Sequence, residues 1–231
     1  MNKIRIVVAV ALIATCFALQ SHAVVVDFTG GNVVRLDAST ETTNNFVSWD
    51  NVDYYEEDGF RMDFLPNSAG GFSTHVGNYY GVALNDVIHS HWITGDFGTV
   101  TAVEITKIGG GTFDLNYFRL TSNTDRGGSF ASGLEQAYVE GFDSSNVSTG
   151  PAVLLPSEDW GFPTTQIYLG SAFDVVETVR FSVTNPVDCF GMDEFFLDEP
   201  APDADVPEPS VIASLAAAMG LFAVSFQRKR G

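Results

Sequence analysis

Three histidines follow the first 23 residues, and two of them, His89 and His91, lie two positions apart. On an extended backbone that spacing puts both imidazoles on one face. Asp86 and Asp96 lie nearby in sequence, and a zinc site drawn from these groups is one reading. Zinc needs at least a third protein ligand, and the spacing does not name one. Hydrogen-bonded or solvent-exposed loop histidines satisfy the same pattern. The acidic pairs Glu56-Glu57, Glu158-Asp159 and Asp193-Glu194 carry the carboxylates that glycoside hydrolysis uses. That chemistry requires two carboxylates held at a defined separation. Adjacent strand residues point to opposite faces, so no single pair supplies it. Trp49, Trp92 and Trp160 are the candidate platforms for a sugar ring, two of them beside an acid, Asp50 and Asp159. Tryptophan is highly buried on average, so core packing is the competing reading for each. No nucleophile elbow, P-loop, dinucleotide fingerprint or zinc-binding helix is present. Beyond the first segment Cys189 is the single thiol. An internal disulfide is therefore excluded, and a small buried hydrophobe is expected there.

The elements that must position these groups read as strands. Val24 to Phe28 is a β-type run ended by Thr29-Gly30-Gly31-Asn32. Gly59 to Phe64 alternates apolar and polar residues and stops at Pro66. Thr99 to Ile108 is rich in β-branched residues, and Thr112 to Leu120 reads as another strand beyond Gly109-Gly110-Gly111. Two strands around a glycine turn predict a hairpin. Gln136 to Phe142 is a further strand, and Thr178 to Thr184 places Val179, Phe181 and Val183 on one face. Gly191 to Leu197 closes the set, and no amphipathic helix stands out between 24 and 199. Many short strands with Gly, Asn, Asp and Pro turns predict an all-β body, a jelly-roll-like β-sandwich over 24–199. In such a fold the first and last strands are often neighbours. Asp27 in the first strand and Asp193 in the last are then the expected Ca²⁺ ligands, with backbone carbonyls completing an oxygen shell.

The ends carry different signals. Lys3 and Arg5 precede an apolar run from Ile4 to Leu19, and Ser21-His22-Ala23 offers small residues at a cleavage site. That order is a signal peptide over 1–23, with signal peptidase as the implied partner. Six of the 11 basic residues and all but one of the 29 acids lie between 24 and 206. So negative a body repels nucleic acid and anionic lipid. Residues 200–205 form an acidic, proline-rich linker that stays extended. Pro207-Glu208-Pro209 then precedes an apolar stretch over 211–226 and a basic end, Arg228-Lys229-Arg230. An apolar segment of that kind predicts a single C-terminal transmembrane helix, with the three cations stopping transfer and keeping the C-terminus inside.

This ordered trio over 206–231 resembles the PEP-CTERM sorting tail of exported proteins of Gram-negative bacteria. The resemblance implies a transient inner-membrane anchor and recognition by an exosortase-type membrane protease. It further implies release of the body to the cell surface or the exopolysaccharide matrix. Gly110-Gly111-Thr112-Phe113-Asp114-Leu115 and Phe190-Gly191-Met192-Asp193-Glu194-Phe195-Phe196-Leu197 look like the β-sandwich bodies common in that family, which resemble carbohydrate-binding jelly rolls. The expectation is an exported non-catalytic protein of the envelope or matrix, its body a binder of extracellular polysaccharide. The rival from another class is a secreted polysaccharide hydrolase, which would show a cleft of convergent carboxylates with shifted pKa values.

Overall fold

A computed structural model describes residues 24–67, 73–82, 85–95 and 98–198. The expected signal peptide, linker and sorting tail lie outside them, as do Asp96 and Glu199.

Fifteen strands are present among the described residues: β1 (Val24–Val26), β2 (Asn32–Arg35), β3 (Thr40–Thr42), β4 (Ser48–Asp50), β5 (Val52–Glu57), β6 (Phe60–Leu65), β7 (Thr74–Gly77), β8 (Val87–His91), β9 (Ala102–Lys107), β10 (Leu115–Thr124), β11 (Gln136–Phe142), β12 (Val153–Leu154), β13 (Thr165–Tyr168), β14 (Thr178–Asn185) and β15 (Cys189–Leu197). Helical structure among the described residues is confined to short 3-10 segments, Ser171–Phe173 and, at Ser73, the residue before β7. The strands form two antiparallel sheets. One runs β13-β10-β15-β8-β7-β4, with β1 also paired to β15; the other runs β12-β11-β14-β9-β6-β5-β2-β3. The all-β expectation holds. From β8 onward most strands cross to the opposite sheet from their predecessor, so sheet neighbours are mostly distant in sequence.

The predicted hairpin around Gly109-Gly110-Gly111 is not formed. β9 pairs with β6 and β14 in the second sheet, and β10 pairs with β13 and β15 in the first. All three glycines have positive φ, between +83° and +103°, a region closed to most side chains. The run therefore carries the chain from one sheet to the other. The apolar faces of the two strands explain the outcome. Val103 and Ile105 enter the core from one side, and Leu115, Phe118 and Leu120 from the other, all nearly inaccessible.

An aromatic layer joins the sheets. Phe118 of β10 stacks on Phe195 of β15 at 5.5 Å and meets Phe181 of β14 edge-on at 5.2 Å. Phe28 touches Phe195 at 6.0 Å and Tyr55 of β5 at 5.4 Å. Such pairs add about 0.5–1.5 kcal/mol each beyond the area they bury. The alternation read in β14 is the one observed: Val179 and Phe181 are fully buried, and Val183 packs against the core.

Candidate functional site

β15 is paired with β10 along one edge, but its other edge changes partner midway. Val26 of β1 pairs with Phe195, whereas Ile88 of β8 pairs with Met192. Between these registers the ladder is interrupted at Asp193 and Glu194. Glu194 has a φ of +31°, and Phe28, just past the end of β1, has +63°. Positive φ in bulky residues is uncommon and costly, and here it re-aims the backbone on both sides of one gap. Asp27 follows β1 and Asp86 precedes β8, so both arrive at that gap. Together with Thr29, Asn45, Asn85, Asp193 and Glu194 they line a polar cavity of about 130 Å³.

The two aspartates expected to act together, Asp27 and Asp193, are thus brought to one cavity. The third acid, Asp86, was not assigned to them from sequence. Its nearest signal is the Asn85-Asp86 step before an apolar run, which suggests a strand start and nothing more. Asp86 is 2% exposed, and neither of its carboxylate oxygens has a hydrogen-bond partner. Burial, reinforced by the charges of Asp27 and Asp193, pushes its pKa up to about 7. Asp193 is raised to about 6, by burial first and by Glu194 next. The Thr29 amide donates to Asp27 Oδ1 at 3.0 Å, and the Glu194 amide donates to Asp193 Oδ1 at 2.9 Å. A buried, unpaired carboxylate such as Asp86, facing two further acids, is unfavourable unless a cation joins them. Carboxylate, amide and hydroxyl oxygens are the hard donors that suit Ca²⁺.

The same break reaches the outer surface of the first sheet. Glu194 Oε2 accepts from Arg119 Nε at 2.9 Å. Arg119 and Tyr117 alternate with the buried Phe118 and Leu120 along β10, so they face outward. Tyr117 stacks on Phe196 at 3.8 Å, with 21° between planes, and lies 5.5 Å from Tyr168 of β13. Tyr168 is 63% exposed. Gln166, two residues before it, is exposed beside Arg119 in the strand register. Sequence reading did not find this strip. Phe195-Phe196 held the signal, because two adjacent strand residues cannot both face the core.

The tryptophan expectation is corrected for two of three residues. Trp49 is 3% and Trp92 1% exposed. Trp49 donates its indole N–H to Glu41, and Trp92 meets Phe190 edge-on at 5.7 Å. Neither can offer a face to a sugar, since each fills the interior. Trp160 is half-buried, with Tyr80 edge-on at 4.7 Å and Tyr79 at 6.1 Å. It belongs to an aromatic group over β7 and β8, not to the Tyr117 strip. Cys189 is buried as expected, but its sulfur lies 3.5 Å from His91 Nδ1. Asp86, expected near the histidines, lines the acid cavity instead.

No family model and no curated protein matches the chain. Several solved structures align with the chain. A family 29 carbohydrate-binding module from Piromyces equi aligns with a TM-score of 0.36 at 10% identity, over 80% of this chain and 95% of that one. The K1 cleaved adhesin domain of Lys-gingipain from Porphyromonas gingivalis aligns with a TM-score of 0.30 at 15% identity, over 76% and 96%. The CBM22-1 xylan-binding domain of Xyn10C from Paenibacillus barcinonensis aligns with a TM-score of 0.29 at 10% identity, over 69% and 96%. Likenesses at these scores carry no argument about a ligand.

Proposed function

We propose that the body is a non-catalytic, jelly-roll-like carbohydrate-binding module that takes extracellular polysaccharide on the outer face of its first sheet. The observation that carries the reading is the row Phe196, Tyr117 and Tyr168, with Arg119, Glu194 and Gln166 alongside. Aromatic faces cover the apolar faces of sugar rings, and neighbouring polar groups fix their hydroxyls; both belong to ligand sites of this kind. We place Ca²⁺ in the cavity of Asp27, Asp86 and Asp193. When bound it neutralises the buried acids and holds Asp193-Glu194, and with it Arg119, beside the strip. We further propose that a signal peptide over 1–23 exports the protein. The PEP-CTERM tail, Pro207-Glu208-Pro209 with Arg228-Lys229-Arg230, then delivers it through an exosortase-type protease.

Affinity electrophoresis of the full-length protein tests the binding reading, using gels cast with soluble polysaccharides, among them exopolysaccharide of the native host. Retardation by at least one polysaccharide is expected, and Tyr117→Ala and Tyr168→Ala should reduce it. Equal mobility of wild type and variants in every gel removes the proposal. A second reading, a polysaccharide hydrolase, draws on Asp86 and Asp193, whose convergent carboxyls have raised pKa values. It requires release of reducing ends by the wild type that Asp86→Asn abolishes. The aromatic-free lining of the cavity favours the cation.

A further inference from the structure

Away from the acid cavity, a second cluster of ligating groups lies on the same outer face. Val76, Ile88 and Phe190 point into the core. Their neighbours His75, His89 and Cys189 therefore point the other way, as does His91. Antiparallel registers set His75 against His89 and His91 against Cys189. The imidazole centroids of His75, His89 and His91 lie 5.0–5.9 Å apart. One ring nitrogen from each lies within 4.8 Å of the others.

His89 sets this cluster apart from ordinary packing. It is 1% exposed, and neither Nδ1 nor Nε2 has a hydrogen-bond partner. A neutral imidazole carries one donor and one acceptor, and buried polar atoms are almost always satisfied. The other two rings are oriented from outside. His75 Nδ1 is 2.6 Å from Asp50 Oδ1 on the neighbouring strand β4. His91 Nδ1 is 3.5 Å from Asp188 Oδ1. At His75 the Asp50 carboxylate on Nδ1 selects the tautomer whose Nε2 holds the lone pair, the arrangement that supports metal-bound histidines; at His91 Nδ1 also meets Cys189 Sγ at 3.5 Å, and Asp188 Oδ1 has no hydrogen-bond partner. Tyr79 roofs the group. Its ring stacks on His89 at 4.1 Å, and its hydroxyl lies 3.2 Å from His91 Nε2. Behind it, Tyr80 reaches the sheet where residue 191 is glycine; a Cβ there would stand 2.2 Å from the Tyr80 hydroxyl oxygen.

We propose that His75, His89 and His91 bind one divalent transition-metal ion, with zinc the natural occupant of three imidazole nitrogens. Three neutral nitrogens with an oxygen from Tyr79 or water make a four-coordinate shell. Imidazole donors select against Ca²⁺, which the all-oxygen cavity suits, so the two sites take different ions. Closing three nitrogens onto one ion needs only small ring movements, since zinc–nitrogen bonds are about 2.0–2.1 Å. The ion would tie β7 to β8 and, through Asp50, to β4 at the sheet edge.

The test is zinc titration of the untagged full-length protein after chelator treatment and dialysis, followed by calorimetry and by the visible spectrum of the cobalt-substituted form. One equivalent of Zn²⁺ per chain is expected, with tetrahedral cobalt bands. His89→Gln should weaken binding at least 100-fold, and Asp50→Asn about 10–100-fold, the usual cost of losing a supporting carboxylate. Asp86→Asn, in the other cavity, should bind zinc as the wild type does. Zinc should raise the melting temperature of the wild type and leave that of His89→Gln unchanged, a readout that needs only that the variant folds. No zinc uptake by the wild type overturns the proposal. So does equal uptake by His89→Gln, or loss of uptake in Asp86→Asn alone.

Discussion

Asp27 and Asp86 reach the same cavity from opposite directions along the chain: one lies a residue beyond the pair Val26–Phe195, the other two residues before the pair Ile88–Met192. The edge of β15 that passes from one partner strand to the other leaves room for both, and Asp193 faces them from β15 itself. A broken ladder here is what turns three separate aspartates into one acidic cavity.

Calcium should therefore stabilise the protein. A chelator is expected to lower the melting temperature by about 5–10 °C, the scale of losing a ligand held at a hundred times its Kd in a domain this size. Ca²⁺ added back after chelation should restore the melting temperature of the wild type but not that of Asp193→Ala or Asp86→Asn; any loss that Ca²⁺ does not reverse belongs to the histidine cluster. Identical melting curves with and without chelator count against the site.

The raised pKa values give that stability a pH signature. Asp86 and Asp193 hold their protons more tightly when folded than when unfolded, where ordinary aspartates titrate near 4. The folded chain then binds more protons between about pH 4 and 7, so metal-free stability falls as pH rises through that window. Ca²⁺ binds the ionised acids, so its stabilising effect should grow over the same range. Thermal melts from pH 4 to 8 with and without Ca²⁺ should diverge as pH increases. Parallel curves would contradict the assignment.

The aromatic layer makes a separate prediction. Phe118 touches Phe181 across the sandwich and Phe195 beside it. Phe118→Ala should cost about 3–5 kcal/mol, as for other buried phenylalanines. Exposed Tyr168→Ala should cost within about 0.5 kcal/mol of nothing. Urea unfolding of both variants measures the contrast. A Tyr168→Ala protein as unstable as Phe118→Ala would mean the strip serves the core.

At the termini, the protein recovered from its native host should begin at Val24, which intact-mass analysis reads directly. Replacing Pro207-Glu208-Pro209 with alanines should leave a membrane-bound form that still carries Arg228-Lys229-Arg230. If the wild type is recovered only in that form, the tail is an anchor and not a sorting signal.

Much of the all-β architecture was legible in the residues. Alternation in Thr178 to Thr184 and the run Gln136 to Phe142 identify strands because side-chain direction on a strand depends on backbone geometry alone. Asp27 and Asp193 could be paired in advance because the terminal strands of a sandwich tend to meet. Pairing between strands was not legible, since it depends on which apolar faces close over a common core. That is why the triple glycine crosses between sheets instead of turning a hairpin. It is also why His75 joins His89, and why Asp86 joins Asp27 instead of His89, three residues further along the chain. Local sequence determined the strands with clear alternation or β-branched runs, β1, β6, β9, β10, β11, β14 and β15, and the supply of acids, histidines and aromatics; the shorter strands, among them β7 and β8 that carry the histidines, were not legible. The tertiary fold alone decided which of them meet, because each site is assembled from strands far apart in sequence, and only the burial of both sheets' apolar faces brings those strands together.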